Sequence, residues 1–325
     1  MKKHRTIIIT AILLSFLSGS ATGWYIGWKR GIPFVKKERT DWAIGIFTGS
    51  SPFSLTSSGK AKNPVLTAND VTDIKARFVA DPFMVQEKGT WYMFFEVLNE
   101  KTNHGDIAFA ISGDGFNWSY QQTILDEPFH LSYPYVFKWQ NEYYMVPETK
   151  RAYSVRLYKA VNFPSQWSFV KTLIDGVGYL DPSIFFFDSR WWLFAASGKN
   201  DILHLHYADE LKGPWTEHPE SPVIEGNANK ARPGGRVLVL DGGIVRYAQD
   251  DYPGYGNQVR AIEIRRLTTT SYEEKEMNKQ PVTKPRRMAW NSVGMHHIDA
   301  HQLSKNEWIA AVDGFGKKLV FGLKY

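Results

Sequence analysis

The stretch "FVADPFMVQEKGTWYMFFE", residues 78–96, sets an aspartate directly before a proline, follows it with two apolar runs, and closes on a glutamate. Both runs are rich in β-branched and aromatic residues and are separated by a glycine-containing turn, the pattern of two strands joined as a hairpin. In an antiparallel hairpin the start of the first strand and the end of the second lie at one edge. Asp81 and Glu96 are therefore expected side by side.

The hairpin recurs. "ADPFMVQEKGTWYMFFE" (80–96) returns as "SYPYVFKWQNEYYMVPE" (132–148), as "LDPSIFFFDSRWWLFAA" (180–196), and more loosely as "ARPGGRVLVLDGGIVRY" (231–247). A fifth copy without proline, "HHIDAHQLSKNEWIAAVD", covers 296–313. Pro82, Pro134, Pro182 and Pro233 are spaced 52, 48 and 51 residues apart. Each of the first three units continues with a third strand ending at Trp118, Trp167 or Trp215. Short strands repeated in five units of about fifty residues predict an all-β fold, a five-bladed β-propeller. "DWAIGIFTG" (41–49) would supply a strand that closes the ring with the last blade.

Innermost propeller strands line a central channel, so the residues at the five strand starts form a ring: Asp81, Tyr133, Asp181, Arg232 and His297. Asp before Pro is also an ordinary turn starter, because its side chain caps the local backbone while proline fixes the next dihedral. Five strand starts do not need so varied a set of titratable groups, and the ring is read as a functional pocket.

Bulk composition fits. The 325 residues are 43% hydrophobic and 15% aromatic, enough for a large β core and for surfaces that stack on sugar rings. The net charge of +6 is local: residues 1–39 hold eight Lys or Arg against one Glu, leaving 31 basic and 32 acidic residues elsewhere. A neutral body carries no nucleic-acid footprint. With no cysteine, disulfides, thiolate metal sites and cysteine nucleophiles are excluded.

Residues 1–39 read as a separate segment and 40–325 as the propeller. Lys2, Lys3 and Arg5 precede an apolar run from Ile7, and Trp24 and Trp28 stand where an interfacial belt would be. The segment is expected to be one transmembrane or signal helix, either an uncleaved anchor or, with "SGSA" (18–21) as the small-residue site, a cleaved signal peptide. Lys29, Arg30, Lys36, Lys37 and Arg39 outnumber the basic residues ahead of the run, and a strict positive-inside count keeps the body in the cytosol. A short basic terminus before an apolar run is the usual export signal, and the expectation is a membrane-anchored, exported propeller, secreted if the signal is cleaved.

The motifs "ADPF…WYMFFE", "HLSYPYVF", "YMVPE", "DPSIF…RWWLF", "ADELKGPW", "ARPGG", "YAQD" and "GMHHID" occur in order over residues 41–320. They resemble the amino-terminal propeller domain of glucosamine inositolphosphorylceramide transferases, also seen in bacterial formyltransferase-like proteins, within the wider glycoside hydrolase family 43/32-like propeller superfamily. For the hydrolases the resemblance implies three carboxylates: an aspartate base or nucleophile in the first blade, a tuning aspartate in the second, and a glutamate acid. Asp81 matches the first; Tyr133 stands where the second would be, and Asp181 where the acid would be. For the transferases it implies that the transferring chemistry belongs to a separate carboxy-terminal domain.

Cleaving a glycosidic bond needs one carboxyl to protonate the leaving oxygen and another to attack or activate water. Asp81 is the candidate base or nucleophile and Glu148, then Glu96, the candidate acid, its proton retained by desolvation among Tyr133, Tyr143 and Tyr144. Asp181 would orient the partners, Arg232 would hold an anionic substituent or instead pair with the glutamates, and Gln249, Asp250 and His297 would bind sugar. His296, His297 and His301 with Asp299 are alternatively an ion site, whereas His204 and His206 share a strand face without a third ligand. No phosphate loop, nucleophile elbow or zinc motif is present, and no cofactor or metal is expected. "SGDGFNW" (112–118) resembles a sialidase Asp-box one residue short and reads as a turn packed by Trp118.

Two functions fit: a membrane-attached, glycoside-hydrolase-like enzyme acting on a cell-surface or extracellular polysaccharide, or a non-catalytic glycan-binding propeller that assists a glycosyltransferase partner.

Overall fold

A computed structural model describes residues 35–277 and 281–321. The segment Ile7–Trp28, read as an anchor or signal, lies outside the described residues, among which no helix is long and apolar enough to cross a membrane. Two compact units are present. In the smaller, Val35–Arg39 pairs antiparallel with Lys317–Phe321.

The larger unit, Asp41–Gly316, is the five-bladed propeller, each blade a four-stranded antiparallel meander. Blade 1 comprises Ala76–Glu87, Thr90–Asn99, His104–Ser112 and Ser119–Leu125; blade 2 comprises Ser132–Trp139, Glu142–Glu148, Ser154–Asn162 and Gln166–Asp175. Blade 3 is built from Leu180–Phe187, Arg190–Ser197, Ile202–Ala208 and Thr216–Glu217, and blade 4 from Leu238–Leu240, Gly243–Asp250, Gln258–Leu267 and Tyr272–Glu276. Blade 5 takes Ile298–Ser304 and Glu307–Gly314 from the end of the chain and Ala43–Ser51 and Ser54–Ser57 from the beginning. Ala43 opposite Gly314 through Gly49 opposite Trp308 is the ladder that closes the ring, on the strand expected to do so.

Blades stack face to face, so inner strands are buried on both sides and their sequences run apolar without strict alternation, as in "TWYMFFEVLN". The apolar clusters lie between blades. Phe83, Tyr135, Leu157 and Trp191 join blades 1 to 3, Phe185 and Ile244 blades 3 and 4, Val245 and Trp308 blades 4 and 5, and Met93 and Ile309 blades 5 and 1. Trp118, Trp167 and Trp215 each donate an indole N–H to a carbonyl of the preceding turn, from Gly115, Pro164 and Leu211. In the Asp-box-like loop Asp114 accepts from the backbone N–H groups of Phe116 and Asn117, which makes it a self-capped turn.

Blade 4 departs from the pattern. Its innermost strand is only Leu238–Leu240, because "RPGG" leaves the ladder ahead of it. Gly235 has φ +140° and bridges to Ile298 of blade 5, and a Cβ there would sit 1.8 Å from the Ile298 carbonyl oxygen. Only glycine permits that approach.

Lower in the channel an ionic pin joins four blades. Arg236 donates from Nε to Asp299 Oδ1 (2.6 Å), from Nη1 to the Val136 carbonyl (3.0 Å) and from Nη2 to the Met84 carbonyl (3.1 Å). Asp299 also accepts from the Met84 N–H at 2.5 Å and contacts His301 Nε2 at 2.8 Å. Burial would raise the Asp299 carboxyl, but Arg236 and His301 hold it below the usual carboxylate range. His301 and Asp299, grouped from the sequence with the ring histidines, thus belong to this pin.

Candidate functional site

Three blades open with the same backbone device. Pairing runs from Ala80–Glu96 to Phe83–Phe94, from Ser132–Glu148 to Tyr135–Val146, and from Leu180–Ala196 to Ser183–Phe194, three residues against two each time. The extra residue makes a β-bulge. Asp81, Tyr133 and Asp181 take the left-handed conformation at φ 53°, 47° and 49°. Aspartate tolerates it; a tyrosine does so only where its surroundings enforce it.

Each bulge N–H is capped by a carboxylate. The Asp81 N–H donates to Asp313 Oδ2 (3.0 Å), the Tyr133 N–H to Asp81 Oδ2 (3.2 Å), and the Asp181 N–H to Glu148 Oε2 (3.2 Å). Asp313 also accepts the backbone N–H groups of His296 and His297. This chain of caps gathers Asp81, Glu148, Asp181 and Asp313 at one end of the channel. Glu96 stands opposite Ala80, beside Asp81, as the hairpin geometry required.

All are buried, and their protons are distributed unevenly. Burial, together with Asp81 and Glu148, pushes Glu96 well above its usual range, and its Oε1, without a hydrogen bond among the described residues, lies 3.4 Å from His130 Nε2. Burial and the neighbouring Asp181 raise Glu148 in the same way. Burial raises Asp81 to about 7 against the pull of His296, whose Nε2 is 3.7 Å away. For Asp181 burial is outweighed by Arg232, which donates from Nε to Oδ2 at 2.6 Å and from Nη2 to Oδ1 at 3.3 Å and keeps the carboxylate ionised. Burial would discharge His296, but Asp313 at 2.8 Å raises it to about 9. The site thus places protonated glutamates beside an ionised Asp181, a division that acid–base chemistry uses.

The other expected residues are placed as follows. The Arg232 guanidinium has its fork on Asp181, Nη1 on Asn200 Oδ1 (3.3 Å), Nη2 3.9 Å from Glu148, and its face 5.2 Å from the Tyr255 ring. Gln249 Nε2 donates to Asp181 Oδ2 (2.6 Å) and to the Pro233 carbonyl, leaving its buried Oε1 without a hydrogen bond among the described residues. Asp250 points away from the ring, bound by Asn229, Gln258 and Arg260. His297 is fully buried against Phe83 and Tyr133, its ring nitrogens without a hydrogen bond among the described residues and Nδ1 4.0 Å from Asp81 Oδ1, and burial lowers it to about 4. Tyr143 donates to Glu87 and Tyr144 stacks on Phe137, so the proton on Glu148 is held by burial and Asp181 and not by those rings.

Tyr133 is a strut. Its hydroxyl meets Ser183 Oγ (2.8 Å), donates to the Gly235 carbonyl (3.0 Å) and accepts the Gly235 N–H (2.7 Å). Tyr133→Phe strands the buried Gly235 N–H, while Ser183 keeps its bond to the Asp181 carbonyl, and is expected to cost about 1–3 kcal/mol, read as a lower denaturant midpoint with an unchanged slope.

Sequence reading left out Asp313, His296 as a charged member, and the rim. Asp313 had a signal, since it closes the fifth hairpin where Glu96 and Glu148 close theirs. Trp42, stacked on His296 at 4.0 Å, and Tyr255, 45% exposed over Arg232, had none, because a closing-strand residue and a loop residue carry no repeat position. Together they form an aromatic lip above the carboxylates, the kind of surface on which a sugar ring stacks.

Comparison with solved structures finds the same fold. A family 117 glycoside hydrolase from the marine bacterium Zobellia galactanivorans superposes with a TM-score of 0.52 at 14% identity, covering 90% of this chain and 93% of that one. A putative glycoside hydrolase from Bacteroides ovatus gives 0.61 at 12% identity, over 82% and 95%. Among curated proteins, glucosamine inositolphosphorylceramide transferase 1 from Oryza sativa subsp. indica is 38% identical over 296 residues, and that from Arabidopsis thaliana 34%. Each match covers 84% of this chain but only 40% and 39% of the relative, so the chain spans about two-fifths of their length. The model of the glucosamine inositolphosphorylceramide transferase 1 amino-terminal family matches residues 35–315, and the chain belongs to that family.

Proposed function

We propose that the propeller holds a glycan in the carboxylate ring and catalyses acid–base cleavage of a glycosidic bond, with Glu148 as proton donor and Asp81 as base or nucleophile. The observation that carries this reading is the division of protons: Glu148 and Glu96 are kept neutral by burial while Asp181 is kept ionised by Arg232. The proton-donor role is thereby assigned by environment, and Asp81, raised to about 7, is the carboxyl that can ionise near neutral pH to act as base or nucleophile. Asp181, Arg232 and Gln249 fix one another and position the acid, and Trp42 and Tyr255 supply the stacking surface. The solved glycoside hydrolases of the same fold are consistent with a glycan as substrate. The amino-terminal basic and apolar segment would tether the domain to a membrane with the propeller exported, which protease protection in intact cells and spheroplasts tests directly.

A second reading rests on two observations. Tyr133 occupies the second-blade position with its hydroxyl fully engaged, and the Arg232 fork is closed on Asp181. A propeller without turnover would present a glycan to a glycosyltransferase partner. The deciding experiment screens the chain against cell-surface and extracellular polysaccharides, measuring reducing-end release and binding separately. Asp81→Asn is expected to abolish release while retaining affinity; if the unaltered chain binds a glycan and releases nothing from it, the catalytic reading fails and the binding reading stands.

A further inference from the structure

On the third strand of blade 1, His104 and Asp106 are two residues apart and so share a face. The outermost strand of the blade ends at Leu125, which pairs with Ile107. One step further sets Asp126 against Asp106, and ligand atoms of His104, Asp106 and Asp126 all lie within 4.8 Å of one another. Like charges opposed across a strand pair repel. Neither carboxylate has an ion pair with a lysine or arginine among the described residues, and Asp106 has only His104 Nδ1, at 3.2 Å.

Asp106 gives the cluster its direction. It is 1% exposed, and among the described residues its Oδ1 accepts no well-aligned hydrogen bond, with His104 Nδ1 3.2 Å away. Its Oδ2 is held by Asn99 Nδ2 at 3.0 Å, and Asn99 is itself fixed by accepting the Lys101 N–H at 3.0 Å. An amide thus orients the carboxylate through one oxygen and leaves the other buried between the imidazole, 3.2 Å away, and the second carboxylate. Such outer support is how proteins aim a metal ligand.

We propose that His104, Asp106 and Asp126 bind one divalent transition-metal cation of the Zn²⁺ or Mn²⁺ class. One imidazole nitrogen with two carboxylate oxygens is the mixed donor set such ions accept, whereas Ca²⁺ and Mg²⁺ favour oxygen alone. Asp126 is exposed, which leaves coordination positions to water. The ion neutralises the opposed carboxylates and ties the start of the blade 1 to blade 2 connection to the third strand. That connection carries His130, which accepts the Gly105 N–H at 2.8 Å and stands 3.4 Å from Glu96, so the ion braces one wall of the carboxylate ring.

The test uses untagged full chain treated with EDTA, then titrated calorimetrically with Zn²⁺, Mn²⁺ or Ca²⁺ alone, with thermal unfolding followed in parallel. One equivalent of Zn²⁺ or Mn²⁺ is expected to bind and to raise Tm, since an ion that binds only the folded state stabilises it by mass action. Asp126→Asn, at an exposed position past the strand end, and His104→Gln are each expected to weaken binding at least about tenfold, because a three-ligand site loses a full donor. Absence of binding, equal binding or an equal Tm rise in both variants, or Ca²⁺ binding as tightly as Zn²⁺ would each overturn the assignment.

Discussion

Arg236→Met is expected to destabilise the propeller by about 3–5 kcal/mol, the usual cost of removing one partner from a buried ion pair. Asp299 is fully buried, and with the guanidinium gone His301 and the Met84 N–H are left against its charge. Two carbonyls, of Met84 and Val136, lose their donor in the same step. Because Arg236 comes from blade 4, Asp299 from blade 5, and the carbonyls from blades 1 and 2, the loss is of interblade registration and not of one local contact. The measurement is the denaturant midpoint of the variant. A second variant separates charge from packing: Asp299→Asn added to Arg236→Met retains an acceptor for the Met84 N–H and removes the stranded charge, and is expected to recover a large part of the loss. A cost below about 1 kcal/mol for Arg236→Met would mean that the apolar clusters between blades set the register unaided.

The pin also marks what the sequence could not disclose. Blade number, hairpin positions and ring closure were legible because each rests on a local pattern, a strand pair with turn punctuation, repeated at a fixed period. The gathering of Asp81, Glu96, Glu148 and Asp181 was legible for the same reason, since antiparallel pairing brings the ends of a hairpin together whatever the tertiary context. Partners across blades were not. Nothing local indicates that Arg232 would close on Asp181, fifty-one residues away, or that the Tyr133 hydroxyl would be used up on Gly235, one hundred and two residues away. The position of Tyr133 in the repeat suggested a ligand-facing group; its left-handed backbone sets the side chain against blades 3 and 4. Asp250 was drawn toward the site by its place at a strand end, yet Arg260 on the neighbouring strand and Asn229 hold it away. The proton held by Glu148 was legible in direction but not in cause, because burial and the Asp181 charge arise only when blade 3 packs against blade 2.

That placement leads to the sharpest consequence of the proposed chemistry. Glu148→Gln keeps the size of the side chain and an acceptor for the Asp181 N–H, but removes the proton donor. Removal of a positioned general acid costs typically about 10²–10⁴ in turnover, and that fall in kcat is expected here with little change in glycan affinity. The pH profile carries a signature that a merely structural role would not. Turnover by the unaltered chain requires Asp81 ionised and Glu148 protonated. Asp81 is raised to about 7, so activity falls as pH drops below that region; Glu148 is raised well above its usual range, so activity falls again once pH rises past the point where it releases its proton. The two limbs belong to the coupled carboxylate cluster as a whole. In Glu148→Gln the alkaline limb should disappear while the acid limb remains, and substrates with activated leaving groups, which need no protonation, should regain most of the lost rate. Asp81→Asn should show the opposite loss. If Glu148→Gln lowers affinity and turnover together and leaves both limbs in place, Glu148 serves only to cap the Asp181 bulge, and the proton donor must be sought in Glu96, the other carboxyl that burial keeps neutral beside Asp81.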